Sequence, residues 1–471
     1  MRTKRARGLL RRHSAVPLVL LVFILAGCAT VFNKPVNTAF ERGAEPFYRM
    51  DLPEVRGDTA VALAFSGGGT RAAAFSFGVL RGLEQIQTPD GQTYADRVVF
   101  ISGVSGGAIT AAYFGLKARA GLADFRERFL IRDAEENLTT AVNLATLLQG
   151  VGGGVNEASK LTAWLDRNLY DGATMADLFK PGQPIISINA SDLYNRTPFH
   201  FSPETFNALC SDLRTLPVSQ AVAASAAVPV AFTPIVLENF PDSCTAPLPP
   251  WVTRALANPN AGAQVRAYAK ALVEYRKGEQ VRFVKLADGG ITDNFGLAGI
   301  VVARSATARP YRPLSPEHAV RMRHLVFIVV NAGRGPEGNW SRTLEGPSGK
   351  DLIGAITDTA VDSAVRSGFD AFRLTVREWQ DATRKWRCAL SRAEAVKYGA
   401  GKDWRCSNIK FEIIEVAFDH FDAQVAAQLQ VIPTRFKLPT EAVDLLIEAG
   451  SSAIKSSPVF RSGPVRSEKR E

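Results

Sequence analysis

Gly103-Val104-Ser105-Gly106-Gly107 carries a serine in G-x-S-x-G spacing. That spacing suits a nucleophile elbow, in which a serine sits in a strained turn between strand and helix and small neighbours let the turn push the hydroxyl outward. A second cluster, Ser66-Gly67-Gly68-Gly69-Thr70-Arg71, offers main-chain N–H groups that a substrate can approach closely. A helix starting just after it would leave its first amides unpaired, so Gly67, Gly68 and Gly69 are candidate oxyanion donors. A nucleotide phosphate loop fits poorly, because the Lys-Ser/Thr of a Walker loop is absent and G-x-G-x-x-G spacing is not met. The third cluster is Asp288-Gly289-Gly290, which closes the apolar run Val281 to Ala287 and makes Asp288 the candidate base for Ser105. A plain glycine turn at 66–71 and a solvated turn aspartate at 288 are the structural alternatives. Of the five histidines, His13 precedes the apolar segment near the amino terminus, and His200, His318, His324 and His420 stand in no evident catalytic motif.

These residues need elements to hold them. Thr59 to Phe65 reads as a buried strand, followed after the glycines by a helix over about 71–86 that is apolar on nearly every side in its first two turns and so belongs in the interior. Arg97 to Ser102 reads as a second strand, with a helix from about 108 to 119 behind the elbow. Two strand–turn–helix units in succession indicate a parallel α/β fold and place both glycine turns at strand carboxyl ends, the edge where such sheets bind ligands. Further strands are expected at Pro184 to Ala190, Val281 to Ala287, Leu325 to Asn331 and Lys410 to Phe418, and helices at 217–227, 263–276, 351–382 and 440–455. On this pattern Asp288 would share a sheet edge with Ser105.

The three motifs, in this order, resemble the bacterial patatin-like phospholipase family, which combines a D-G-G-G-x-[KR]-G loop, a G-x-S-x-G serine and a D-G-[GA] aspartate. Here Ser66 stands where the family has Asp and Ala72 where it has the last Gly, while the three glycines and Arg71 are kept. Ala224-Ser225-Ala226-Ala227-Val228-Pro229 also resembles a family segment between nucleophile and aspartate. The likeness is good over about 60–300 and weak beyond.

It implies a three-layer α/β sandwich with a mostly parallel central sheet and helices on both faces, and a Ser–Asp dyad of Ser105 and Asp288 that needs no histidine, metal or cofactor. The implied activity is hydrolysis of phospholipid or another lipid ester through an acyl-enzyme, of phospholipase A or lysophospholipase type. A free aspartate, with pKa about 3.9, is a feeble base, so the site has to desolvate Asp288. Arg71 has two roles open to it, bonding backbone carbonyls or facing a lipid phosphate. Two other functions compete: a Ser–His–Asp esterase using His420 or His324, and an envelope lipoprotein that only binds lipid.

The net charge of +10 suggests a polyanion partner until its location is considered. Arg2, Lys4, Arg5, Arg7, Arg11 and Arg12 supply six of those ten charges before residue 13, and the surplus of four that remains shows no dense basic run with interleaved aromatics. A nucleic-acid partner is therefore not expected. The basic start leads into Ala15 to Ala26, twelve apolar residues that are too few to span a hydrocarbon layer of about 30 Å as a helix. Leu25-Ala26-Gly27-Cys28 resembles the bacterial lipobox, so 1–27 is expected to be a signal peptide and Cys28 the lipidation site. With Ala29 after the cysteine, the expectation is a lipid-anchored protein of the bacterial cell envelope, at the outer membrane.

The remaining chain divides into a tether over 28–58, an acyl hydrolase domain over 59–460 with insertions near 241–280 and 375–408, and a charged tail over 461–471. Cys210, Cys244, Cys388 and Cys406 are an even set, and sequence-local pairing would join 210 to 244 and 388 to 406, with two other connectivities and free thiols open. Thr139 to Val151 reads either as a mobile lip over an acyl pocket or as a core helix ending at glycines.

Overall fold

The computed structural model describes residues 34–461, apart from 42, 44, 46, 48–51, 55, 140–153, 245 and 336–339. The expected signal segment with Cys28, the apolar stretch from 140 onward and the tail over 462–471 lie outside the described residues.

Among the described residues, eight strands form one sheet: β1 Thr59–Phe65, β2 Val98–Val104, β3 Ile185–Asp192, β4 Thr197–His200, β5 Ile235–Glu238, β6 Phe283–Asp288, β7 His324–Asn331 and β8 Lys410–Ala417. Their order is β5-β6-β3-β2-β1-β7-β8, with β4 alongside β3. The run β3-β2-β1-β7-β8 is parallel throughout, as the alternation of apolar runs and helices indicated. Strands β4, β5 and β6 join antiparallel. β4 and β5 have four residues each, too few to show a period in the sequence.

The helices that matter for the site are α1 Gly69–Glu84, α2 Gly106–Lys117, α3 Val218–Ser225, α4 Ala263–Lys277, α5 Ala298–Ala306, α6 Gly349–Ala389 and α7 Thr440–Ser456. Side chains of a strand alternate between faces, and β1 shows the result. Val61, Leu63 and Phe65 enter one core with residues of α1, α2 and α7, while Ala60, Ala62 and Ala64 enter another with Phe372, Val376 and Trp379 of α6. The fold is thus a mostly parallel sheet covered by helices on both faces. α1 is buried along its first twelve residues, as its all-round apolar character required. α7 packs against it closely: a Cβ placed on Gly78 would lie 2.2 Å from the Ile447 carbonyl oxygen.

Both segments read as insertions contribute to the interior. α4 buries Tyr268, Leu272 and Tyr275, and the second half of α6 buries Trp379 and Arg387. α6 runs on to Ala389, past the expected end near 382, because no glycine or proline interrupts it there. Disulfides join Cys210 to Cys244 and Cys388 to Cys406, the sequence-local pairing. Part of the stretch read as a tether lies against the sheet edge: Asn37 Nδ2 donates to the Glu238 carbonyl and its Oδ1 accepts from the Glu238 amide, both at 2.8 Å.

Candidate active site

Ser105 stands between β2 and α2 with φ 51° and ψ −121°, a conformation that L-residues rarely adopt. The turn can hold it only because its neighbours lack side chains. A Cβ on Gly106 would come 1.9 Å from the Gly69 carbonyl oxygen, one on Gly107 2.5 Å from that of Phe65, and one on Gly103 2.6 Å from the Ala108 Cα. The elbow is therefore pressed against both β1 and the glycine loop. The Ser105 amide donates to the Ser225 hydroxyl at 2.8 Å, and that hydroxyl donates to the Asn189 carbonyl at 2.5 Å.

Asp288 reaches the elbow by a route that the strand pattern did not indicate. The expected shared edge presumed that Val281–Ala287 ran parallel to its neighbours, but β6 runs antiparallel to β3. β3 overruns β2: Val104, the last residue of β2, pairs with Asn189, and Asp288 pairs with the next residue, Ala190. Ser105 and Asp288 thus flank β3 at the same level. The Asp288 amide donates to the Ala227 carbonyl and that of Gly289 to the Ser225 carbonyl, at 2.8 and 3.1 Å. The carboxylate accepts from the Gly290 amide at 2.8 Å. Burial pushes its pKa up to about 6, opposed by hydrogen bonding from the Gly290 amide and then from the Ser105 hydroxyl. This is the desolvation that a carboxylate base needs.

The glycine loop meets both residues. A Cβ on Gly67 would stand 3.3 Å from the Ser105 Cβ and 3.6 Å from a Val104 methyl, and one on Gly289 would stand 3.0 Å from that methyl. Of the three expected oxyanion donors, Gly67 is already engaged: its amide donates to both the carbonyl oxygen and Oδ1 of Asn294, at 3.2 and 3.1 Å. Asn294 follows the Asp288 motif by only a few residues, so it ties one motif to the other. Gly68 and Gly69, with φ 138° and 58°, open α1, and among the described residues their amides have no acceptor. The positive end of α1 therefore carries two unpaired donors next to the elbow, where Gly69 packs against Gly106.

Arg71 takes the first of its two expected roles. Its Nε donates to the Ala332 carbonyl at 3.0 Å and its Nη1 to that of Ile432 at 2.8 Å, and the side chain is 3% exposed. Burial, and after it the charge of Arg334, lowers its pKa to about 9, so it stays charged at neutral pH. Ser66 is also buried and accepts from the Ala332 amide at 2.9 Å, closing the same corner.

Among the described residues, no histidine shifts the Asp288 carboxyl. His324 begins β7, at the sheet edge opposite Ser105, with Nε2 3.3 Å from Glu412. His420 is exposed beyond β8 and its ring bonds the Glu415 carbonyl. His200 bonds Asn189 Oδ1 at 2.7 Å, and burial pushes its pKa down to about 4.

Ser225, Asn189 and Asn294 were not singled out in the sequence as site residues. Ser225 lay within the segment that resembles the family, a signal that could have found it; the other two carried none.

No curated protein matches the chain. Among solved structures, human GIVD cytosolic phospholipase A2 is similar at TM-score 0.41 and 11% identity over 86% of this chain and 62% of that one. The same human enzyme in complex with methyl gamma-linolenyl fluorophosphonate is similar at TM-score 0.36 and 12% identity, over 86% of this chain and 59% of that one. This chain thus spans less than two thirds of the length of those proteins. The patatin-like phospholipase family matches residues 63–300, half of the chain, which include the glycine loop, Ser105 and Asp288, and the chain belongs to that family.

Proposed function

We propose that the protein is a lipid acyl hydrolase that cleaves carboxylic esters of phospholipids or lysophospholipids with Ser105 as nucleophile and Asp288 as base. The observation that carries the reading is the buried Asp288 carboxyl, its pKa raised to about 6, facing a serine held in a strained elbow. Asp288 takes the Ser105 proton as Oγ attacks the ester carbonyl. The oxyanion that forms is held by the amides of Gly68 and Gly69, joined by that of Gly106 at the amino end of α2. Asp288 then returns the proton to the leaving alkoxide, which departs as the alcohol portion of the lipid. Water deprotonated by the same carboxylate attacks the acyl-enzyme, releases the fatty acid and restores Ser105. The Gly67 amide serves differently: bound to Asn294, it holds the loop against the Asp288 motif.

The reading extends to location. Supported by the lipobox-like Leu25-Ala26-Gly27-Cys28, the mature chain begins at a lipid-modified Cys28 and is held at the bacterial envelope, at the outer membrane, beside its substrate. Among the described residues no helix is long and apolar enough to cross a membrane. The decisive experiment is fatty-acid release from a panel of phospholipids, lysophospholipids and short esters by the wild type and Ser105→Ala. Release from the long-chain lipids that vanishes in the variant supports the reading. Release that persists in the variant overturns the serine mechanism, and activity confined to short soluble esters replaces lipid with general ester hydrolysis.

A further inference from the structure

On the side of the sheet away from α1 and α2 lies a partly open cavity of about 360 Å³. Phe100, Ile185, Phe327, Ile300, Trp251 and Trp379 are among its walls, and neither Ser105 nor Asp288 lines it. Protein interiors leave few voids larger than a water molecule, so a space of this size is a feature of the fold that packing did not close. It falls at the small end of sites that take organic ligands, roughly 300–1,000 Å³.

The chemistry of the lining is divided. Inside, the polar groups already have partners: His200 bonds Asn189, Glu204 accepts from Trp251 Nε1 at 2.5 Å, and the Tyr268 hydroxyl bonds that of Thr205 at 2.7 Å. Burial favours the neutral form of both His200 and Glu204. Charge is found on Arg304 and Arg312, both partly exposed lining residues beside the exposed Ala303 of α5, and Arg312 already has an interaction partner of its own. Arg304 donates one Nη1 bond to the Arg309 carbonyl at 3.1 Å, which leaves further N–H donors on its guanidinium. An apolar interior with cations at its rim is complementary to a single hydrocarbon chain ending in an anion.

We propose that this cavity is a binding site for one long-chain fatty acid, with the chain directed inward and the carboxylate on the remaining donors of Arg304, beside the charge of Arg312. The site is separate from Ser105 and does not depend on the hydrolytic reading; if that reading holds, the ligand is of the same class as the product. An intact phospholipid, with two chains and a headgroup, is too large for it.

The test is titration of cis-parinaric acid into the Ser105→Ala protein, read by energy transfer from Trp251 and Trp379. Saturable binding of one equivalent is expected. Ala303→Phe, which sets a ring at the mouth, should weaken it by about tenfold or more. The double variant Arg304→Gln/Arg312→Gln should weaken the acid by about tenfold but leave displacement by the matching fatty alcohol unchanged, since only the carboxylate loses its partners. Thermal unfolding of each variant shows that it is folded, and the arginine pair gives the answer if Ala303→Phe is not. The proposal is overturned if binding is absent, if it survives both sets of substitutions, or if a short-chain fluorophosphonate on wild-type Ser105 abolishes it.

Discussion

The Ser105 amide donates to the Ser225 hydroxyl at 2.8 Å across 120 residues of chain, and the next bonds in that chain of contacts lead to Asp288. The Ser225 carbonyl accepts from Gly289, and the carbonyl two residues on, that of Ala227, accepts from Asp288. A single short segment therefore holds the proposed nucleophile and base in register. Ser225→Ala removes the acceptor of a buried amide and the donor to Asn189, a loss of about 1–2 kcal/mol if it falls on the catalytic geometry. The expected outcome is a fall in kcat of roughly tenfold with KM unchanged. A purely structural role would lower Tm and leave kcat per folded molecule intact.

Ser105→Ala and Asp288→Asn should each remove fatty-acid release by a factor of about 10³ or more, because the two groups act as one unit. His324→Ala and His420→Ala should keep wild-type rates, since one sits at the opposite sheet edge and the other is exposed beyond β8. Covalent labelling by a fluorophosphonate should follow the same division, and loss of labelling in either histidine variant would revive a Ser–His–Asp site.

With Asp288 pushed up to about 6, its basic form predominates above that pH. kcat/KM should therefore be full at pH 7–8 and fall tenfold per unit as pH drops well below 6. Stability runs the other way. A carboxyl whose pKa is raised in the fold stabilises it while protonated, and that contribution is lost as pH climbs from the unfolded value near 4 through 6. Asp288→Asn, which stays neutral, should raise stability at pH 8 by about 2–3 kcal/mol while abolishing turnover. Thermal denaturation of the two proteins at pH 5 and pH 8 checks this: the difference at pH 5 should be roughly half that at pH 8.

Gly106→Ala should disable the elbow without touching a reactive atom. The added methyl would be driven to 1.9 Å from the Gly69 carbonyl oxygen, which is main chain and cannot swing aside. A loss of about 2–3 kcal/mol in denaturant unfolding, together with lost fluorophosphonate labelling, is expected. Normal labelling would show that the glycine loop can retreat and that its contact with the elbow is dispensable.

Arg71→Met should be a stability variant and not a substrate-binding one. It strands the carbonyls of Ala332 and Ile432 in the interior, at a penalty on the order of 2–4 kcal/mol. KM for anionic and zwitterionic phospholipids should be unchanged in the folded fraction. A selective rise in KM for anionic lipids would instead place the guanidinium at a headgroup.

Much of the architecture was legible from local pattern. The strand ending at Phe65 and the elbow after β2 are marked by apolar runs meeting glycines, a signal carried within about ten residues and set by backbone sterics. The pair Ser105 and Asp288 could be named for the same reason, since each closes a strand beside small residues. The direction of β6 was not legible: an apolar run looks the same whether its strand runs parallel or antiparallel, and only pairing with the overrun of β3 brings Asp288 to the level of Ser105. Nor could sequence say that the Gly67 amide is taken by Asn294, 227 residues away, while Gly68 and Gly69 keep theirs. Composition and spacing record which groups a chain can offer; which of them remain unpaired depends on contacts between distant segments, and those exist only once the sheet has assembled.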